Sequence, residues 1–243
     1  MLFLDNTIDP KPFLDPAYSQ EEGFIICMDK PFSWTSADVV RKIKFRLQKI
    51  WNQKKVKVGH AGTLDPLATG VLLICVGKAT KASDSFQGQP KEYIAQIRFG
   101  ATTPSFDLEK EIDATYPWEH IDRALIDQVL PTFLGEQMQL PPIYSAKVIT
   151  GMRAYEFARQ GLETPELKQA AITLYELEVL DFTAPVLTLR VVCSKGTYIR
   201  ALARDLGLAL QSGAHLTGLQ RTRSGSFSLE KAISLQDFET FFQ

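Results

Sequence analysis

Metal and disulfide chemistry have little to work with in this 243-residue chain, which holds three cysteines and three histidines. Cys27, Cys75 and Cys193 each lie in an apolar, strand-like run. An odd number without metal-ligand spacing predicts buried, reduced thiols and a cytoplasmic address. His60, His120 and His215 are scattered and show no ligand spacing. No apolar run approaches the ~20 residues needed to cross a bilayer, which excludes a helical membrane span. The opening MLFLDNTIDPKPFLDP carries acids and prolines where a secretion signal needs a basic start and an unbroken apolar stretch. Net charge is scarce too: the formal total is −1 and the pI about 6.3, so bulk composition points to no nucleic-acid partner. Repeats, low-complexity tracts and linkers are missing. A phosphate-binding loop is excluded, because six strand-like residues separate Gly70 from Gly77-Lys78 where that motif needs four.

What is present is a 45% hydrophobic content, ample for a substantial core, and an uneven spread of charge. From Arg41 to Lys57 there are eight basic residues and no acid, whereas residues 1–23 and 101–127 are mostly acidic. A neutral total can therefore hide a positive face, although for such a run taken alone a solvated helix surface balanced by acids elsewhere is the reading to prefer. GFIICMDKP reads as a strand ended by Pro31. Thr35 and Asp38 form a capping box ahead of a helix with Val40, Ile43, Leu47 and Ile50 at helical spacing. GVLLICVG has the continuous apolar pattern of a strand buried on both faces. KEYIAQIRFG alternates, which turns Tyr93, Ala95, Ile97 and Phe99 to one side. ITLYELEVLDF and VLTLRVVCS read as further strands. GTYIRALARDLGLALQ reads as a helix opening at Gly196 and Thr197, and MRAYEFARQ as another, framed by Gly151 and Gly161. This mixture predicts an α+β fold with a mixed, largely antiparallel sheet and flanking helices.

One short stretch resists a purely structural reading. VGHAGTLDPLATGV, Val58 to Val71, holds a single carboxylate, Asp65, among Gly, Thr, Leu, Pro and Ala. A helix N-cap suits Asp65 with Pro66 behind it, but the apolar run follows too soon for a proper helix. A metal ligand lacks partners at usable spacing. A nucleophile or general base in a shaped loop suits the glycines, which let backbone approach a ligand. From spacing alone the cap and the catalytic role stand level.

GHAGTLDPLATGVLLICVGKATK resembles the central motif of the TruB-type tRNA pseudouridine synthases. CMDKPFSWTSADVV is similar to that family's first motif and KEYIAQIRFG to its tyrosine-bearing strand. LPPIYSAKVITGMRAYEFARQG, CSKGTYIRALARDLG and GAHLTGLQRTRSGSF are similar to later blocks, in order. The resemblance runs from Gly23 to the C-terminus and implies a pseudouridine synthase catalytic domain over 23–243, preceded by an extended arm over 1–22. It leaves no room for the RNA-binding extension of the PUA type that many members carry.

The resemblance implies isomerisation of the T-loop uridine of tRNA, position 55, to pseudouridine after the base is flipped out of its stack. No cofactor and no metal are expected. The implied partner is the T-arm stem-loop of tRNA, with no membrane and no obligate protein partner. It makes Asp65 the essential acid, Tyr93 the catalytic residue stacked on the target base and a candidate to move a proton at the sugar, and Arg200 the counter-charge that keeps the acid ionised. His60 is implied to fill the vacated space, Tyr198 to contact substrate and Leu219 to pack near the base. The basic run, through Lys54, Lys55 and Lys57, is expected to grip phosphates, helped by Lys195, Arg204, Arg221 and Arg223. Lys30 and Pro31 are assigned to positioning and packing, and Tyr144, Ser145 and Lys147 to structure. No role is transferred to an acid in ATTPSFDLEKE, where Pro104 and Phe106 interrupt the family pattern. Ring addition and anomeric cleavage both remain open as mechanisms. Two rivals stand beside this reading: an RNA-folding module without catalysis, and a guide-dependent pseudouridylase of the dyskerin kind.

Overall fold

The computed structural model describes residues 2–17, 22–144, 148–149, 152–153 and 167–242. In chain order its strands are β1 (Leu2–Leu4), β2 (Phe24–Lys30), β3 (Val58–Ala61), β4 (Ala68–Val76), β5 (Lys91–Phe99), β6 (Ala101–Thr102) and β7 (Ala114–Thr115). They continue with β8 (Gly135–Gln139), β9 (Val148–Ile149), β10 (Met152–Arg153), β11 (Ala170–Thr183), β12 (Val186–Cys193), β13 (Ala214–Ser224) and β14 (Phe227–Ser228). The described helices are α1 (Ser36–Ile50), α2 (Ser83–Gly88), α3 (Arg123–Val129), α4 (Ile199–Ala209) and α5 (Leu235–Phe241). The fold is α+β with a mostly antiparallel sheet. The chain divides into two compact units, Met1–Tyr93 with Leu219–Gln243, and Ile94–Gly218.

In the first unit the strand order is β1-β2-β4-β13-β5, with β3 also on β4. β4 is buried along nearly its whole length, as an uninterrupted apolar run predicts. One of its edges pairs antiparallel with β2, from Phe24↔Val76 to Lys30↔Gly70. Its other edge is shared. β3 covers Leu73–Val76, and β13 runs parallel to Ala68–Gly70. Ile25, Cys27, Val71, Leu73 and Cys75 form one core cluster. Burial, reinforced by Asp5 and Asp29, pushes the Cys27 thiol up to about 12, and burial pushes Cys75 up to about 11. Both thiols stay protonated in their apolar surroundings.

α1 begins with the expected capping box, Thr35 and Asp38 each bonding the other's backbone N–H. Its core face is Val39, Ile43 and Leu47; Val40 and Ile50 are only half-buried, one helical position away from the expected stripe. The leading segment is built into this unit. β1 pairs parallel with β2, Phe13 is buried 4.8 Å from the ring of Phe24, and Trp51 Nε1 donates to Phe13 O at 3.3 Å.

In the second unit the order is β13-β5-β12-β11-β8. β11 and β12 form an antiparallel hairpin, and β8 pairs antiparallel with the start of β11. α4 opens at Ile199, three residues later than Gly196. Gly196 has φ +80 and Thr197 Oγ1 donates to Ser194 O at 3.0 Å, so those residues form a turn before the helix. The helix expected over MRAYEFARQ is corrected at its start: Met152 and Arg153 pair with Ile149 and Val148 as β10 on β9. The rest of that stretch, 154–160, lies outside the described residues. No helix among the described residues is long and apolar enough to cross a membrane.

Docking of the leading segment has a measurable consequence. Phe13→Ala should lower the unfolding free energy by about 3 kcal/mol, because it empties a fully enclosed aromatic site. Chemical denaturation measures this, and a loss within experimental error would mean that the segment does not rest on Phe24.

Candidate active site

Asp65 lies in the six-residue loop, 62–67, that joins β3 to β4. Ala68 N–H donates to Asp65 O at 3.1 Å, so the chain turns directly into β4 and no helix follows. That removes the capping role. The side chain is half-buried.

The loop around it is held by buried donors. Ser36, at the start of α1, bonds both backbone groups of Leu64, its Oγ donating to the carbonyl at 3.1 Å and accepting the N–H at 2.9 Å. Ser33 N–H donates to Pro66 O at 2.9 Å. Lys30, at the end of β2, is wholly buried; its ammonium donates to the carbonyls of Trp34 (2.6 Å), Pro31 (2.9 Å) and Pro66 (3.2 Å). All three of its N–H groups find an oxygen.

Burial pulls the Lys30 ammonium down to about 8, against the opposing pull of Asp65 and then Asp29, whose negative charges favour its proton. Asp29 is itself raised, chiefly by burial, although its carboxylate accepts the Gly70 N–H at 3.1 Å and Lys30 lies beside it. Lys30 and Asp65 therefore share a local field.

Arg221 corrects an expectation. Sequence places it among the phosphate ligands, yet it is 1% exposed. Its Nε donates to Val71 O at 2.6 Å, and its two terminal nitrogens donate to Gly62 O at 3.0 Å and Thr63 O at 3.5 Å. It faces the loop from β13, where its backbone lies against Gly70. A Cβ on Gly70, which has φ +100, would sit 2.2 Å from Arg221 O, so only glycine allows the two strands this approach.

His60 is half-buried on β3, paired with Ile74, and belongs to a strand rather than to the loop. Tyr93 is buried on β5, on the inward side the alternation predicted. Leu219 is half-buried on β13 and pairs with Ala68, three residues past Asp65. Lys54, Lys55 and Lys57 are exposed between α1 and β3. The segment is anchored at both ends, with Gln48 Nε2 donating to Lys54 O at 2.5 Å and Gly77 N–H to Lys57 O at 2.8 Å.

The second unit carries Tyr198 and Arg200. Gln139, buried at the end of β8, bonds both backbone groups of Tyr198: it accepts the N–H at 2.8 Å and donates to the carbonyl at 3.1 Å. Arg200 is 4% exposed. Its terminal nitrogens donate to Ser105 O at 3.1 Å and Tyr144 O at 2.8 Å, and its Nε lies 3.7 Å from Asp107 Oδ2. Tyr144 thus acts through its backbone; Ser145 and Lys147 lie outside the described residues. Asp107 is a residue that sequence reasoning passed over. Phe106 adopts φ +59 with its N–H on Thr103 O (3.0 Å), and Thr103 Oγ1 donates to Asp107 O at 2.7 Å, so the interrupted pattern still builds a tight turn. The signal available was an acid following TTPSF beside an apolar strand. Of the remaining expected phosphate ligands, Lys195 and Arg223 are exposed, while Arg204 donates to Asp205 Oδ1 (2.8 Å) and Leu140 O (3.0 Å). Among the described residues no three His, Cys, Asp or Glu side chains gather around a common point.

These features coincide with a known family. The model of the TruB family pseudouridylate synthase N-terminal domain matches residues 48–199, and that of the tRNA pseudouridylate synthase B C-terminal domain matches residues 200–243. The chain belongs to this family. It is 56% identical over 221 residues to tRNA pseudouridine synthase B of Parabacteroides distasonis, covering 91% of this chain and 94% of that one. It is 57% identical over 218 residues to the protein of the same name from Phocaeicola vulgatus, covering 90% and 92%. Among solved structures, a Cbf5-Nop10-Gar1 complex contains a chain of similar fold, with TM-score 0.68 and 32% identity. That match covers 95% of this chain and only 57% of that one.

The burial of Lys30 can be read directly. Its ammonium, followed by 15N NMR, should titrate with a midpoint near 8; a midpoint near 10.5 would mean the group is hydrated. Between those values the unfolded chain holds a proton that the folded protein lacks, so this residue makes unfolding progressively harder as pH rises through the window. Lys30→Met should abolish that part of the pH dependence.

Proposed function

We propose that this protein is a tRNA pseudouridine synthase that isomerises the T-loop uridine at position 55, with Asp65 as the reacting carboxylate. The observation that carries the reading is the half-buried Asp65, set in a loop whose carbonyls are gripped by buried Lys30 and Arg221, within a chain of this family. Such a loop holds a charged group in one place while leaving it reachable.

The reaction breaks the N-glycosidic bond, turns the detached uracil and joins its C5 to the same sugar carbon, while C5 gives up its proton and N1 gains one. Substrate and product are isomers, so nothing is added or removed. A carboxylate serves either by attacking or by stabilising the departing sugar cation. We assign Tyr93 to stacking on the flipped base, His60 to the space it vacates, Tyr198 to substrate contact and Leu219 to packing against the base. Arg200 supplies the positive charge that favours an ionised Asp65. Asp107 and the Ser105 and Tyr144 carbonyls hold that guanidinium in one orientation.

Selectivity for a loop uridine follows from extruding the base before chemistry, which is easiest where stacking is already irregular. Affinity comes from binding phosphates, for which the exposed Lys54, Lys55 and Lys57 are assigned. Replacing any one of these lysines by alanine should flatten the dependence of log Kd on log salt by about 0.7 to 0.9. A slope equal to that of wild type would remove that lysine from the RNA-binding face.

The test of the reaction uses purified protein and a T-arm stem-loop, with no guide RNA and no other protein. The expected result is one pseudouridine at the position equivalent to 55, with Asp65→Asn binding the RNA as tightly as wild type and giving no product. Wild-type binding without product supports an RNA-folding module instead, and product only with added guide RNA supports a dyskerin-like enzyme. Undiminished turnover by Asp65→Asn removes the catalytic assignment.

A further inference from the structure

We infer that Arg221 is a positioning residue for the Asp65 loop, acting through the carbonyls of Gly62, Thr63 and Val71, and that it makes no contact with RNA. The inference rests on the reading of Asp65 as the reacting carboxylate.

A buried guanidinium is an expensive group to keep. Arg221 is the largest fully buried side chain among the described residues, and none of its contacts there is with a carboxylate. With no ion pair to offset desolvation, three peptide carbonyls are what stabilise it. An apolar side chain would fill the same space without that penalty. The three acceptors explain the choice. Gly62 and Thr63 immediately precede Leu64-Asp65, and Val71 lies in β4 on the far side of the loop. One rigid planar group therefore ties the two stems of the loop together.

The sheet places it there. β3 ends its pairing at Ala61↔Leu73, and β13 ends its own at Arg221↔Gly70. Val71 falls in the interval between them on that edge of β4, and Arg221 Nε donates to its carbonyl. Lysine offers a single nitrogen at the end of a flexible stem, so it cannot reproduce the fixed planar fork by which three separate nitrogens of Arg221 meet the carbonyls of Val71, Gly62 and Thr63 at once. A misplacement of about 1 Å at a reacting group lowers rates by about 100-fold.

The experiment compares wild type, Arg221→Lys and Asp65→Asn in three measurements: thermal unfolding, affinity for the T-arm stem-loop over a salt series, and single-turnover rate. For folded Arg221→Lys we expect a rate about 100-fold lower, with Kd and the salt slope unchanged. In Arg221→Met, measured alongside because lysine keeps the charge, a salt slope flatter by about 0.7 to 0.9 would make Arg221 a phosphate ligand and overturn the inference. A wild-type rate would overturn it too. Should Arg221→Lys fail to fold, Gly62→Ala decides. There the guanidinium stays, and the added Cβ meets its Nη1 at an ordinary 3.5 Å while the φ of +94 strains the acceptor peptide. A folded Gly62→Ala should turn over more slowly at unchanged affinity, and full rate would overturn the inference. If Asp65→Asn keeps its turnover, the proposed function itself has failed. If Asp65→Asn is dead and the Arg221 and Gly62 variants are fast, only this inference has.

Discussion

The hydrogen bonds between two buried cations and the peptide carbonyls around Asp65 set the terms for the rest of the first unit. Lys30 reaches Pro66 O from one side, and Arg221 reaches Gly62 O and Thr63 O from the other. A loop of this length, with Thr63 exposed and Asp65 half-buried, would otherwise sample many conformations, and its ordering entropy must be offset locally. Here directional bonds offset it on both flanks of the acid. Strand arrangement follows from the same need: β2 ends where Lys30 can turn inward, and Gly70 lets β13 approach close enough to deliver Arg221.

The second unit uses the same device at smaller scale. Gln139 fixes Tyr198 by both backbone groups, and Ser105 and Tyr144 carbonyls with Asp107 orient Arg200. Buried polar groups that are fully engaged confer rigidity, and rigidity here falls on the residues the proposed reaction uses. The outward lysines differ. Lys54, Lys55 and Lys57 are exposed, and the backbones of Lys54 and Lys57 are anchored, the arrangement expected of groups that meet a diffusing polyanion.

Much of this was legible in sequence, because period and punctuation are local. The alternation of KEYIAQIRFG turned Tyr93 inward, the apolar run of β4 marked a strand buried on both faces, and Thr35 with Asp38 announced α1. The motif block singled out Asp65. What stayed hidden depends on long-range contact. Nothing near Arg221 in sequence reveals that its acceptors lie about 150 residues earlier, so a solvent-facing phosphate ligand was the default for an arginine in QRTRSGS. Asp107 was masked because Phe106 in a left-handed conformation looks like an interruption rather than a turn. The start of α4 was misplaced because Gly196 and Thr197 resemble a cap, while the turn they form is closed by a bond back to Ser194.

The most direct measurement of the whole account is a crystal structure of Asp65→Asn bound to a T-arm stem-loop. It should show one uridine turned out of the RNA with its glycosidic bond beside residue 65, and Arg221 still bonded to the carbonyls of Gly62, Thr63 and Val71. A uridine left stacked in the loop, or an Arg221 turned outward onto a phosphate, would contradict it.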